Sequence, residues 1–312
     1  LYDIASWESR TQFDRISVGL YRLLVRGARA LVVLVAVAIL AAELVLTGLA
    51  TIGDPVVGLF ILLSVVPAAG IAVYLWQADV TMREPLGTML VTFLFGVLFA
   101  GFAALVNSIA SPLFGAIPYV GLVLFFYFVV APVEETVKWL AIRLYAFRRP
   151  EFNAVIDGAV YGAVAGLGFA TVENALYIVQ GVIRANALTG PGTVEAGFQT
   201  AYARAFVGPG HVIYSAFAGY YLGLAKFNPE DAGPIVVKGL LIAAGIHATY
   251  NSIVTYVSFP GITFLLFILV YDGVFGYILY RKLSRYNSYY TRVTEEDDEP
   301  TVEPAITRID ES

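Results

Sequence analysis

The stretch Phe125-Phe126-Tyr127-Phe128-Val129-Val130-Ala131-Pro132-Val133-Glu134-Glu135-Thr136-Val137-Lys138-Trp139-Leu140 sets two adjacent carboxylates and one ammonium inside an apolar run. The residues on either side extend the run to about 120–144, long enough to cross a bilayer. An acid at the centre of a membrane helix costs about 2.5–3.5 kcal/mol on insertion scales, so a pair of them needs a partner or a task. At helical spacing Glu134 and Lys138 lie one turn apart in the favourable order for an ion pair, and Glu135 points about 100° away. Pro132 removes one helical hydrogen bond immediately upstream and predicts a kink or opening beside the acids.

Outward from this segment the chain stays apolar. Hydrophobic residues make up 59 % of 312 and charged residues 14 %, with a mean hydropathy of +0.76. That balance excludes an ordinary soluble domain. Apolar stretches at 31–50, 56–76, 86–107, 120–144, 156–180, 205–226, 235–257 and 262–281 predict an all-α, polytopic membrane helix bundle of about eight transmembrane helices. With the N-terminus inside, sixteen Lys and Arg fall on inner segments and only Arg184 and Arg204 on outer loops. This asymmetry predicts a multi-pass protein of the cell membrane with both termini cytoplasmic. The first span is too long for a signal-peptide core and is read as retained.

The expected organisation is a cytoplasmic arm at 1–30, a membrane domain at 31–286 with its motifs at 126–251, and an acidic, disordered tail at 287–312. The chain has no cysteine, which excludes disulfides and thiolate metal sites. No basic domain or reader motif points to nucleic acid.

Other polar residues fall in the spans that follow. In the fifth, Asp157 opens a stripe of Gly158, Gly162 and Gly166 that predicts close helix approach. Glu173, Asn174 and Tyr177 come after the stripe and suggest a lined cavity. The two histidines both lie in predicted spans. His211 shares a stripe with Ser215, Gly219 and Gly223, and His247 lies one turn before Asn251. A lone buried histidine is usually a packed, hydrogen-bonded residue; this many polar groups in four consecutive spans favours one shared site. Asp272, in Tyr271-Asp272-Gly273, lacks the second aspartate that an aspartyl mechanism needs.

Taken in order, these motifs resemble the PrsW family of intramembrane endopeptidases, in a superfamily with the CAAX prenyl endopeptidases. The matching pieces are Glu134-Glu135-x-x-Lys138, Asp157-Gly158 through Glu173-Asn174, the His211 segment, and His247-x-x-Tyr250-Asn251. The resemblance implies a CAAX-protease-like helical core that hydrolyses a peptide bond of a membrane-associated protein or peptide at the bilayer. Anti-sigma-factor-like substrates are expected by analogy only. It also implies catalytic roles for Glu134, Glu135, Glu173, His211, His247 and Asn251, with Lys138, Asn174 and Asp157 in support. Glutamate and histidine would activate water, and His247 with Asn251 would stabilise the oxyanion. Which of Glu134 and Glu135 is the base stays open. So does the second-motif role, because this chain has Phe169-x-x-x-Glu173 where the superfamily has Phe-x-x-x-His. The preferred expectation requires no cofactor. The alternatives are a zinc-dependent form with Glu134, His211 and His247 as ligands, and a proton-coupled transporter or scaffold using the acids as a relay.

Overall fold

Glycine decides which helices approach most closely. In the computed structural model, which describes residues 11–185, 191–260 and 262–298, a Cβ on Gly158 would stand 2.1 Å from the Gly219 carbonyl oxygen. One on Gly166 would stand 2.4 Å from the His211 carbonyl oxygen. Only a residue without a Cβ permits that approach. The two helices so joined share the most extensive interface in the molecule, and they bring Glu173 and His211 together.

Among the described residues the protein is helical throughout, without strands. In order, the helices are α1 (Gln12–Gly53), α2 (Pro55–Gln77), α3 (Leu86–Gly115), α4 (Gly121–Phe125), α5 (Ala131–Leu144), α6 (Val155–Arg184), α7 (Pro191–Lys226), α8 (Ala232–Tyr256) and α9 (Thr263–Asp298). A π-helical turn, Phe126–Val130, joins α4 to α5 in one rod, with the Ala131 N–H donating to the Phe126 carbonyl. It ends just before Pro132, which has no N–H to continue the α-helical ladder.

Among the described residues, five helices are long and apolar enough to cross a membrane: Pro55–Gln77, Leu86–Gly115, Val155–Arg184, Pro229–Tyr256 and Thr263–Val293. Among the described residues of α1, the apolar stretch is Val33–Leu49. The α4–α5 rod is interrupted and carries Glu134, Glu135 and Lys138, and α7 carries Arg204 and His211. The apolar stretch of α6 is 83 % buried, against 17–28 % in the other four. α6 is therefore the central post, packed by α2, α3 and α7, while the outer faces of its neighbours remain apolar for lipid.

Neither expected boundary interrupts a helix. Residues 12–30 are the start of α1, and α9 runs through 287 to Asp298. Two contacts hold α9 there: Asn287 Nδ2 donates to the Ala78 carbonyl at 2.9 Å, and the Val155 N–H donates to Tyr286 Oη at 3.3 Å. The segment 287–298 is thus helical rather than disordered; residues 1–10 and 299–312 of the expected arm and tail lie outside the described residues.

Candidate functional site

α5 presents Glu134, Glu135 and Lys138 to the centre of the bundle, where all three are buried. The expected Glu134–Lys138 ion pair is present, but it is the longer of two. Lys138 Nζ donates to Glu135 Oε1 at 2.7 Å and stands 3.9 Å from Glu134 Oε2. A contact from another helix makes the choice. The ammonium also meets His211 Nδ1 at 3.0 Å and sits 4.2 Å over the Phe169 ring, which draws it away from Glu134.

Glu135 is enclosed. It receives Lys138, His247 Nδ1 at 2.9 Å on the same Oε1, and Ser215 Oγ at 3.4 Å on Oε2. Glu134 instead faces a cavity of about 740 Å³. Its Oε1 accepts from Asn107 Nδ2 at 3.1 Å, and its buried Oε2 has no hydrogen-bond partner. That free oxygen lies 3.8 Å from His247 Nε2.

The partners fix both histidine tautomers. A carboxylate oxygen only accepts, so His247 donates from Nδ1 to Glu135 and turns Nε2 towards Glu134 Oε2. An ammonium only donates, so His211 accepts at Nδ1 and donates from Nε2 to Glu173 Oε2, 2.7 Å away. The two rings meet edge to face, with centroids 5.3 Å apart.

Glu173 also pairs with Arg204, whose Nε donates to Asn174 Oδ1 at 2.8 Å. Asn174 in turn donates to the Ser64 carbonyl and hydroxyl, both at 3.2 Å. One chain of polar contacts thus runs from Arg204 through Glu173, His211, Lys138 and Glu135 to His247, with Glu134 at its open end.

Of the residues singled out in the sequence, Glu134, Glu135, Lys138, Glu173, Asn174, His211 and His247 converge. Asn251 lines the same cavity. Asp157 does not join them. It begins α6, about 24 Å along the axis from Glu173 at 1.5 Å per residue, and accepts from the Asn153 and Ala154 N–H groups at 2.6 and 2.7 Å. There it stands beside Glu84, whose carboxyl is pushed up to about 8 by burial and by the neighbouring acids. Asp272 accepts from Tyr214 Oη at 3.1 Å and lines a separate groove between α2, α7 and α9.

The site also holds Asn107, Arg204 and Ser64, which no motif singles out. Asn107, a lone amide in an apolar span, carries a usable signal; Arg204 reads from the sequence as an outer-loop charge.

Residues 84–277 match the model of the PrsW family intramembrane metalloprotease. The chain belongs to the PrsW family. Protease PrsW of Geobacillus kaustophilus is 32 % identical over 203 residues, covering 62 % of this chain and 79 % of the relative. Protease PrsW of Halalkalibacterium halodurans is 29 % identical over 199 residues, covering 61 % and 80 %. No solved structure matches the chain. The protein is accordingly a multi-pass membrane peptidase.

The family description makes a metal possible, and the donor chemistry suits one. Glu134, His211 and His247 each offer an atom within 4.8 Å of the others. Ligands 2.0–2.2 Å from a tetrahedral zinc stand about 3.4 Å apart. The 3.8 Å between Glu134 Oε2 and His247 Nε2 lies near that spacing and beyond hydrogen-bond length. A carboxylate behind the far nitrogen of a ligating histidine, as Glu135 stands behind His247, is the usual outer-shell arrangement.

Proposed function

We propose that this PrsW-family peptidase hydrolyses a peptide bond of a membrane-associated protein at the Glu134–His247 end of the cavity. The observation that carries the proposal is the buried Glu134 Oε2, without a hydrogen-bond partner, facing His247 Nε2 across 3.8 Å. Both are proton acceptors, and both stand where a scissile carbonyl and a water can enter. Glu135 has a different role: it holds the imidazole by Nδ1 and balances positive charge gained at Nε2. Lys138 fixes Glu135, and Arg204 with Asn174 fixes Glu173 against His211. The amide of Asn251 on the same wall serves the developing oxyanion.

In the metal-dependent form, Glu134, His247 and His211 hold the ion. A bound zinc would polarise the substrate carbonyl and lower the pKa of its water. His211 joins this set only when Lys138 or Glu173 releases one of its nitrogens. A metal-free form is favoured by that same engagement of both His211 nitrogens. In it His247, backed by Glu135, takes the proton of the attacking water, and Glu134 orients that water.

The test uses purified protein in vesicles with a membrane-anchored peptide substrate. His247→Gln is expected to lower cleavage by about 100- to 10,000-fold, the usual worth of a positioned proton acceptor, and Glu134→Gln is expected to lower it as well. Full activity in either variant overturns the assignment. Loss of activity on stringent zinc chelation, restored by zinc, selects the metal-dependent form, and undiminished activity selects the other. The charge asymmetry supports an orientation with both termini cytoplasmic and the cavity mouth on the outer side.

A further inference from the structure

At the opposite end of α6 from the cavity, three carboxylates converge, and among the described residues none of them forms a direct salt bridge. Asp79 and Glu84 come from the connection between α2 and α3, and Asp157 from the first turn of α6. They are 7 %, 2 % and 0 % exposed. Each has one oxygen satisfied. Asp79 Oδ1 accepts from the Thr81 N–H at 2.8 Å and its hydroxyl at 2.7 Å, Glu84 Oε2 accepts from Tyr161 Oη, and Asp157 Oδ2 accepts from two backbone N–H groups. Of the other three oxygens, Asp79 Oδ2 is buried with no hydrogen-bond partner, and the carboxyls of Glu84 and Asp157 stand close enough to share a proton when no cation lies between them. One ligand atom from each acid lies within 4.8 Å of the others.

The nearby cations are committed elsewhere. Lys226 Nζ donates to the carbonyls of Phe147 and Phe152 at 2.8 and 2.7 Å, and Arg83 stacks on Trp76. Among the described residues, no Lys or Arg pairs with any of the three acids. Unpaired buried carboxylate oxygens cost several kcal/mol unless something positive sits among them. The donors are all hard oxygens, with no histidine in the set. Such a set suits Ca²⁺ or Mg²⁺ and is poor for zinc.

We propose that Asp79, Glu84 and Asp157 form a binding site for a hard divalent cation, Ca²⁺ or Mg²⁺, that ties the α2–α3 connection to the start of α6. The site is separate from the cavity, lies at the cytoplasmic end in the orientation above, and stands independently of the mechanism proposed there. Its role is to hold the base of the central post.

Tb³⁺ provides a direct probe, because Trp76 adjoins the site: its Nε1 donates to the Glu84 carbonyl at 3.1 Å. Chelator-stripped protein in detergent, excited at tryptophan, is expected to give saturable Tb³⁺ emission displaced by Ca²⁺ or Mg²⁺. Asp79→Asn and Asp157→Asn are expected to weaken binding by at least about tenfold; the asparagine oxygen still accepts the local N–H groups, so the connection and the helix start are retained. Trp76→Phe is expected to lower the emission while leaving Ca²⁺ affinity unchanged, and Glu134→Gln to change neither. Ca²⁺ should also raise the unfolding temperature of the unmodified protein. Absent emission together with no Ca²⁺- or Mg²⁺-dependent rise in unfolding temperature overturns the proposal. So does binding that persists unchanged in both aspartate variants, or that disappears in Glu134→Gln.

Discussion

Two neighbouring glutamates of the same residue type acquire different chemistry from what surrounds each carboxylate. Glu135 is saturated by Lys138, His247 and Ser215, whereas Glu134 keeps one oxygen free at the cavity. Glu135→Gln is therefore expected to lower both cleavage and thermal stability, because the amide misdirects His247 and leaves Lys138 without its anion. Glu134→Gln is expected to lower cleavage alone. Unfolding temperature and turnover measured on both variants separate the two. Lys138→Met leaves a buried carboxylate uncompensated, and a loss of about 3–5 kcal/mol is expected from denaturant unfolding. Spacing along one helix nominated all three residues and the Glu134–Lys138 pair, but not the shorter pair to Glu135. Lys138 can reach Glu134 or Glu135 equally well within α5, and its choice depends on a histidine 73 positions later. Arg204 was hidden for a similar reason: a charge near a helix end reads as a loop charge until Glu173 and Asn174 are seen beside it.

At the scale of elements, the glycine stripe was legible and correctly read as a packing surface. A Cβ at Gly162 would stand 2.3 Å from the Ser215 carbonyl oxygen. Gly162→Ala should force α6 and α7 apart at a cost of about 1–3 kcal/mol, and should lower cleavage by displacing His211 from Glu173. Gly245→Ala is the control. A Cβ there meets nothing within 4 Å, and alanine's better helix propensity predicts unchanged or slightly higher stability. Circular dichroism melts and cleavage rates of the two variants test both statements. Helix ends were less legible. The continuation of α9 past residue 286 depends on Tyr286 and Asn287 reaching α6 and the end of α2, contacts that local composition does not encode.

Across the whole molecule, α6 carries a polar cluster at each end and glycine between them. Hydropathy identified a membrane bundle, and the recognised spans include α6 and α8, which carry Glu173 and His247, but not α5 and α7. The polar residues that give α5 and α7 their chemistry are the ones that dilute their apolar signal. Asp157 shares the motif with Glu173 in sequence, and helical rise places the two at opposite ends of α6. The two ends should respond differently to metal removal. A chelator selective for transition metals, applied with excess Ca²⁺ present, is expected to stop cleavage in the zinc-dependent form without lowering the unfolding temperature. A fall in unfolding temperature under those conditions would mean that the cavity metal also supports the fold.

The π-helical turn at Phe126–Val130 holds one residue more per hydrogen-bonded ring than the helix on either side. It is therefore a place where chain length is slack. Deleting Phe128, whose side chain is 71 % exposed, would let the turn close as ordinary α-helix while Glu134 keeps its place against Asn107 and His247. Deleting one residue after Lys138 offers no such reserve and would rotate the rest of α5 by about 100°. Tolerance to single-residue deletion should accordingly peak at this turn and fall sharply along α5.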